Sequence, residues 1–323
     1  MRPACVNKVF DLAKRDPRVV YIGSDLSPDL TERMKTEMPG RAFMEGVSEA
    51  HVVGMAAGLA MEGFIPFVHT IATFITRRCY EQVAVDLCLH NLPVRLIGNG
   101  GGLVYAPLGP THLAIEDIAI MRALPNMTVV AVCDADEMIR FMDQTLEWPG
   151  PIYIRLAKGF DPIVSRNELG FEIGKAIPML VAAHGMSSAL LVSTGVATTR
   201  ALAAAELLAA KGIECTILHM HTLKPFDAEA VLHYARDARV VVTIEEHTLI
   251  GGLGSAVTDA LVEHCHSRLP LIRRLGIPDV FAVKYGNQDE LMAMYGLQPP
   301  QIAEAVREAL KLVSAWERQS LRG

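Results

Sequence analysis

The stretch Gly46–Ala60, GVSEAHVVGMAAGLA, decides the fold. It follows an extended segment over Arg41–Met44 and precedes an apolar run, Pro66–Thr70. Its pattern predicts a helix over Ala50–Met61 with Ser48 as N-cap. Glu49 then falls in the first turn, where the helix dipole favours a negative group. Gly54, Ala56, Ala57, Gly58 and Ala60 leave that helix bare enough for another backbone, or a flat ring, to approach closely. Taken alone, Glu49 reads as an ordinary helix start. In small, apolar surroundings it is expected to hold a proton at pH 7.

Outward from this strand–helix–strand unit, the alternation continues. Val19–Ile22, Pro66–Thr70, Val94–Gly98, Thr128–Val132 and Ile152–Leu156 read as buried parallel strands. Helices are expected over Val6–Lys14, Phe74–His90, Ala114–Ala123 and Ala135–Thr145. Gly159, Pro162, Gly170, Gly174 and Pro178 place a linker over Lys158–Pro178. A second unit follows, with strands at Ala189–Ser193, Glu214–His219, Val240–Ile244 and Leu271–Leu275. Its helices are expected over Thr198–Lys211, Leu253–Glu263 and about Pro300–Trp316. The fold class is therefore α/β, as two three-layer domains over 1–170 and 180–323, each with a mostly parallel sheet.

Composition narrows the function. The 323 residues exceed one ordinary core. A hydrophobic content of 51% and mean hydropathy of +0.27 point to apolar surface buried against other subunits. No run of eighteen uncharged apolar residues is present, which argues against a membrane span. A net charge of −6 without a basic stripe argues against nucleic-acid binding. The six cysteines, Cys5, Cys79, Cys88, Cys133, Cys215 and Cys265, show no metal-ligand spacing and read as reduced core residues. With no signal-peptide pattern at the start, a cytoplasmic location is expected.

Five segments in order resemble the C-terminal half of the transketolase family: YIGSDLSPDL from Tyr21, the Glu49 run, PFVHTIATFITRRCYEQV from Pro66, GPTHLAIEDIAIMRALPNMTVV from Gly109 and VVTIEEHTLIGGLGSAV from Val241. The resemblance implies a pyrimidine-binding domain followed by a transketolase C-terminal domain. It implies thiamine diphosphate as cofactor, with Glu49 as the acid bonded to its pyrimidine and Phe74 as the stacking aromatic. Asp25 matches an aspartate near the pyrimidine edge, and equally could cap the turn before Pro28. Arg77 stands where transketolases have a tyrosine, and Ile71 where they have a second aromatic. His112 matches the histidine facing the reacting carbonyl, where it can donate to a developing alkoxide. For His51 and His69 a buried, hydrogen-bonded role serves as well.

The same resemblance assigns Arg2 and Arg155 to the anionic tail of the donor. Asp29 replaces the family serine there, Gly100 the histidine and Leu108 an acid near the donor hydroxyls. Asn99–Gly102 is expected to form an open, flexible loop. The donor site is thus expected to be non-standard. Glu245–His247 and Gly251–Gly254 are expected to be architectural, with a phosphate cradle as the alternative. No Gly-Asp-Gly occurs in the chain, so Mg²⁺ and the diphosphate are expected to sit mainly on a partner subunit resembling the N-terminal half, in an α2β2 assembly. The implied reaction is transfer of a two-carbon ketol unit from a ketose to an aldose. A 2-oxo acid reaction on the same framework, or a non-catalytic subunit, are the alternatives.

Overall fold

The computed structural model describes residues 1–157, 159, 161–183, 188–264 and 268–320. The first half runs α1 (Arg2–Arg15), β1 (Val19–Gly23), α2 (Pro28–Glu37), β2 (Ala42–Met44), α3 (Glu49–Met61), β3 (Ile65–Ile71), α4 (Ala72–Thr76) and α5 (Tyr80–Gln82). A π-helical segment over Val83–Leu89 leads to β4 (Arg95–Asn99), α6 (Asp117–Ala123), β5 (Thr128–Ala131), α7 (Ala135–Gln144) and β6 (Ile152–Leu156). The second half runs β7 (Ile177–Leu180), β8 (Ala189–Ser193), α8 (Ala197–Ala209), β9 (Cys215–His219), β10 (Thr222–Lys224) and α9 (Ala228–Ala235). It ends with β11 (Val240–Thr248), α10 (Leu253–His264), β12 (Leu271–Ile277), α11 (Gln288–Met294) and α12 (Pro299–Ser320).

Two α/β sheets result, with strand orders β10-β5-β6-β4-β3-β1-β2 and β12-β11-β8-β9-β7. Every neighbouring pair is parallel except β10 with β5 and β7 with β9. The central strands are buried along their whole length, which suits the β-branched runs that form them. β7 and β10 are edge strands that the sequence pattern did not show. β7 contains Pro178, which only an edge tolerates. β10 is three residues long and ends just before Pro225. It crosses from the second half to complete the first sheet, and one apolar cluster (Val68, Leu96 and Tyr153 with Leu190, Leu218 and Leu253) runs across the same boundary. α2, α9 and α11, each at most ten residues, likewise went unread.

Three local expectations change. The single helix expected over Phe74–His90 breaks at Arg77–Cys79 and closes as the π-helical segment. The break coincides with two arginines turning aside to separate carboxylates, Arg77 to Glu116 and Arg78 to Glu49. The helix expected from Ala114 begins only at Asp117, because Ala114 is held in β-bridges to Gly101 and Gly102. The expected linker, whose first residue Lys158 lies outside the described residues, is pinned: Asp134 accepts from the Val164 and Ser165 amides at 2.8 and 2.6 Å. The five described cysteines are free and buried, and Cys265 lies outside the described residues. Among the described residues no helix is long and apolar enough to cross a membrane.

Candidate active site

The C-terminal ends of β1, β3 and β4 are the usual position for a site in an open parallel sheet. Glu49 reaches the end of β3 from the first turn of α3 and is only 2% exposed. Ser48 stands at the N-cap, but its hydroxyl donates back to the Glu45 carbonyl (2.9 Å) and caps nothing. A short polar chain ties the acid to the sheet. Thr70, at the end of β3, donates to Glu49 Oε1 at 3.4 Å. Ser24 Oγ lies 2.9 Å from Thr70 Oγ1 and 2.8 Å from Asp25 Oδ1. Asp25 therefore joins the same array, two hydroxyls away from Glu49.

The surroundings of Glu49 differ from the apolar ones expected. Arg78 Nη1 donates to Glu49 Oε2 at 2.7 Å, and the Arg78 side chain is 44% exposed. Its guanidinium carbon also sits 4.1 Å from the centre of the Phe74 ring. Phe74 lies in α4 and Arg78 in the turn just after it, four residues on. A flat cation with N–H donors thus touches both the acid and the aromatic, so these residues accept a planar nitrogenous group between them. Sequence pattern did not single out Arg78; its only local signal is that spacing from Phe74.

Phe74, His112 and Tyr105 form a line of rings. Phe74 and His112 meet edge to face at 5.1 Å, and His112 lies 6.4 Å from Tyr105. The Gly109 turn holds His112 by a backbone bond of 3.0 Å, and His112 Nδ1 is 2.9 Å from Thr111 Oγ1. Tyr105 is the second residue that sequence missed. Its ring fills the space above Gly100, where an added Cβ would come within 2.1 Å of Tyr105 Cε2. Gly100 also has a φ of +80°, which favours glycine on its own. Arg2 acts through its charge on Tyr21, His69 and Tyr105. Burial first, and Arg2 second, push His69 down to about 3, so that imidazole is neutral.

Three expected positions have different surroundings. Arg77 turns from Glu49 to bind Glu116 and the Leu113 carbonyl, which braces the loop carrying His112. Arg155 is buried and committed within the chain: to Asp117 Oδ2 at 2.8 Å, the Ala114 carbonyl at 3.2 Å and the Glu246 carbonyl at 2.9 Å. Asn99–Gly102 is not an open loop, since Gly100 and Gly101 both donate to the Leu156 carbonyl and all four residues are buried. Close packing explains its glycines, because a Cβ at Gly101 would meet Arg155 and one at Gly102 would meet Glu246.

The acidic cluster of the second half is structural. Glu245 accepts from the Leu253 and Gly254 amides at 2.7 and 2.8 Å, capping α10 with its own carboxylate. That carboxylate occupies the place a phosphate cradle needs. Glu246 accepts from the Leu103 amide at 2.7 Å and from Gln288. Among the described residues the one cluster with metal-ligating groups is Cys133, Glu137 and His219, fully buried. A thiol and an imidazole do not suit Mg²⁺, which prefers oxygen ligands.

Residues 1–160 match the family model described as transketolase, pyrimidine binding domain, and residues 182–302 match transketolase, C-terminal domain. The chain is 38% identical to the 6-deoxy-6-sulfo-D-fructose transketolase subunit of Clostridium sp. (strain MSTE9), covering 95% of this chain and 94% of that one. It is 33% identical to an apulose-4-phosphate transketolase subunit of Phocaeicola vulgatus, covering 96% and 97%. A solved split gene transketolase, an inactive beta4 tetramer, superposes with a TM-score of 0.84 at 35% identity, covering 96% and 98%.

Proposed function

The chain belongs to the transketolase family, as its pyrimidine-binding and C-terminal domains, and from that membership we propose that it is one subunit of a split, thiamine diphosphate-dependent enzyme. The enzyme moves a two-carbon ketol unit from a ketose donor to an aldose acceptor. Bound thiamine diphosphate supplies a thiazolium that acts as an electron sink for C–C cleavage. Glu49 holds a proton toward the pyrimidine ring nitrogen, and Phe74 gives that ring a face to stack on. Thr70, Ser24 and Asp25 fix the carboxyl's orientation. His112 donates to the substrate oxygen on which charge develops.

The observation that supports this most is the planar cation already held between Glu49 and Phe74. Replacing Glu49 with Gln is expected to abolish transfer while the complex still assembles. Turnover near wild type in that variant would remove the reading.

The diphosphate and Mg²⁺ fall to a partner subunit, in a heterotetramer of sugar metabolism. Among the described residues no oxygen-rich metal cluster is found, and the chain has no Gly-Asp-Gly. Val280, Phe281, Val283 and Tyr285, all strongly exposed, supply apolar surface for such a contact. For the donor's tail we favour Arg2, whose charge is felt at Tyr105 and His69. The two named relatives act, by name, on sugars bearing a sulfo or phosphate group, and an arginine suits either anion. Arg155 serves the site by positioning the loops around it rather than by touching the donor.

A further inference from the structure

We propose that Arg78 is a built-in occupant of the pyrimidine subsite, which thiamine diphosphate must displace to bind. The inference rests on the reading of Glu49 and Phe74 given above. Arg78 satisfies both groups at once, bonding Glu49 Oε2 at 2.7 Å while its guanidinium carbon lies 4.1 Å from the Phe74 ring centre. Those are the two contacts an aminopyrimidine would make. A guanidinium resembles that ring in the properties that matter here: it is flat, delocalised, and rich in N–H donors.

The two occupants exclude each other. A guanidinium has donors only. An acid donating its own O–H to a ring nitrogen therefore has no use for Arg78 in the same place. The arginine has somewhere to go, because its side chain is 44% exposed. It also lies in the break between α4 and α5 rather than inside a helix. Without Arg78, the chain before loading would leave a carboxylate that is only 2% exposed with no cation beside it.

The consequence is a tax on affinity. The apparent dissociation constant equals the intrinsic one divided by the fraction of molecules whose subsite is open. If the arginine is in place in about nine molecules of ten, removing it tightens binding roughly tenfold. Arg78→Lys should fall between, since an ammonium keeps the charge but has no plane to stack.

The test titrates thiamine diphosphate calorimetrically into the assembled enzyme with wild-type chain, R78M and R78K, and follows thermal unfolding of each chain without cofactor. The expected result is roughly tenfold tighter binding for R78M, a smaller gain for R78K, and a lower unfolding temperature for the R78M chain. Unchanged or weaker binding in a folded R78M overturns the inference. Should R78M fail to fold, R78K decides: binding no tighter than wild type overturns it equally. E49Q, assayed alongside, separates this from the parent reading. Loss of turnover in E49Q with unchanged R78M binding sinks the arginine's role alone. Full turnover in E49Q sinks both.

Discussion

Arg155→Met separates a structural arginine from one that receives substrate. Arg155 is buried, and its partners come from three places: Asp117 at the start of α6, the Ala114 carbonyl, and the Glu246 carbonyl on β11. Burial alone would lower the affinity of this guanidinium for its proton, but Asp117 and Glu246 raise it above the ordinary value, so the charge stays. Methionine keeps most of the volume and removes every donor. Asp117 would retain only the Tyr153 hydroxyl at 2.7 Å, because its Oδ1 already has no partner among the described residues. Breaking one half of a buried ion pair costs about 3–5 kcal/mol. At an m-value of about 3 kcal/mol/M, that lowers the urea midpoint by roughly 1–1.7 M. The assay is equilibrium urea unfolding of the purified chain, followed by far-ultraviolet circular dichroism. A loss of about 0.5 kcal/mol or less, the range of an ordinary surface change, would refute the structural assignment and return Arg155 to the donor site.

Gly100→Ala should destabilise by about 2–4 kcal/mol, since it combines a positive φ with a clash on Tyr105. The same change in a Tyr105→Ala background should cost less, and a double-mutant cycle with no coupling would contradict the packing described. Glu245→Ala removes both amide contacts at the start of α10 and should lower stability by about 2 kcal/mol in thermal melts. On acidification, two buried histidines should weaken the fold first. Burial pushes His69 and His221 down to about 3. Their contribution is therefore complete above pH 6.5 and is lost as pH falls toward 3. A second loss should follow between pH 4.5 and 2 from Glu137. Burial would raise that carboxyl, but His219 and the other partners outweigh it and hold it at about 2. Urea titrations at stepped pH should show Glu137→Gln lacking the second loss.

Long-range geometry marks the limit of what local pattern revealed. The buried parallel strands and α3 were legible because each is a run of eight or fewer apolar residues, or a small-residue helix, bounded by turn signals. Glu49 and Phe74 drew notice through the family resemblance rather than through local pattern, and each lies in the first turn of a helix that follows a strand. Arg78 was not, because FITRR reads as one unbroken amphipathic turn; only the fold shows that its second arginine reaches back across 29 positions to Glu49. Tyr105 was hidden in the same way. A glycine that replaces a family histidine leaves an empty position in sequence, whereas in space a ring from five residues on fills it. Arg155 looked available because a strand-end arginine carries no local sign of its partners, which come from 38, 41 and 91 positions away. The strand β10 was too short for any periodicity to register.

The most direct test is a crystal structure of this chain assembled with its diphosphate-binding partner and thiamine diphosphate. The expected view has a Glu49 oxygen within hydrogen-bond reach of the pyrimidine nitrogen, the ring lying on Phe74, and the Arg78 guanidinium swung clear. A loaded complex in which Arg78 still spans Glu49 and Phe74, with the cofactor ring seated elsewhere, would contradict it.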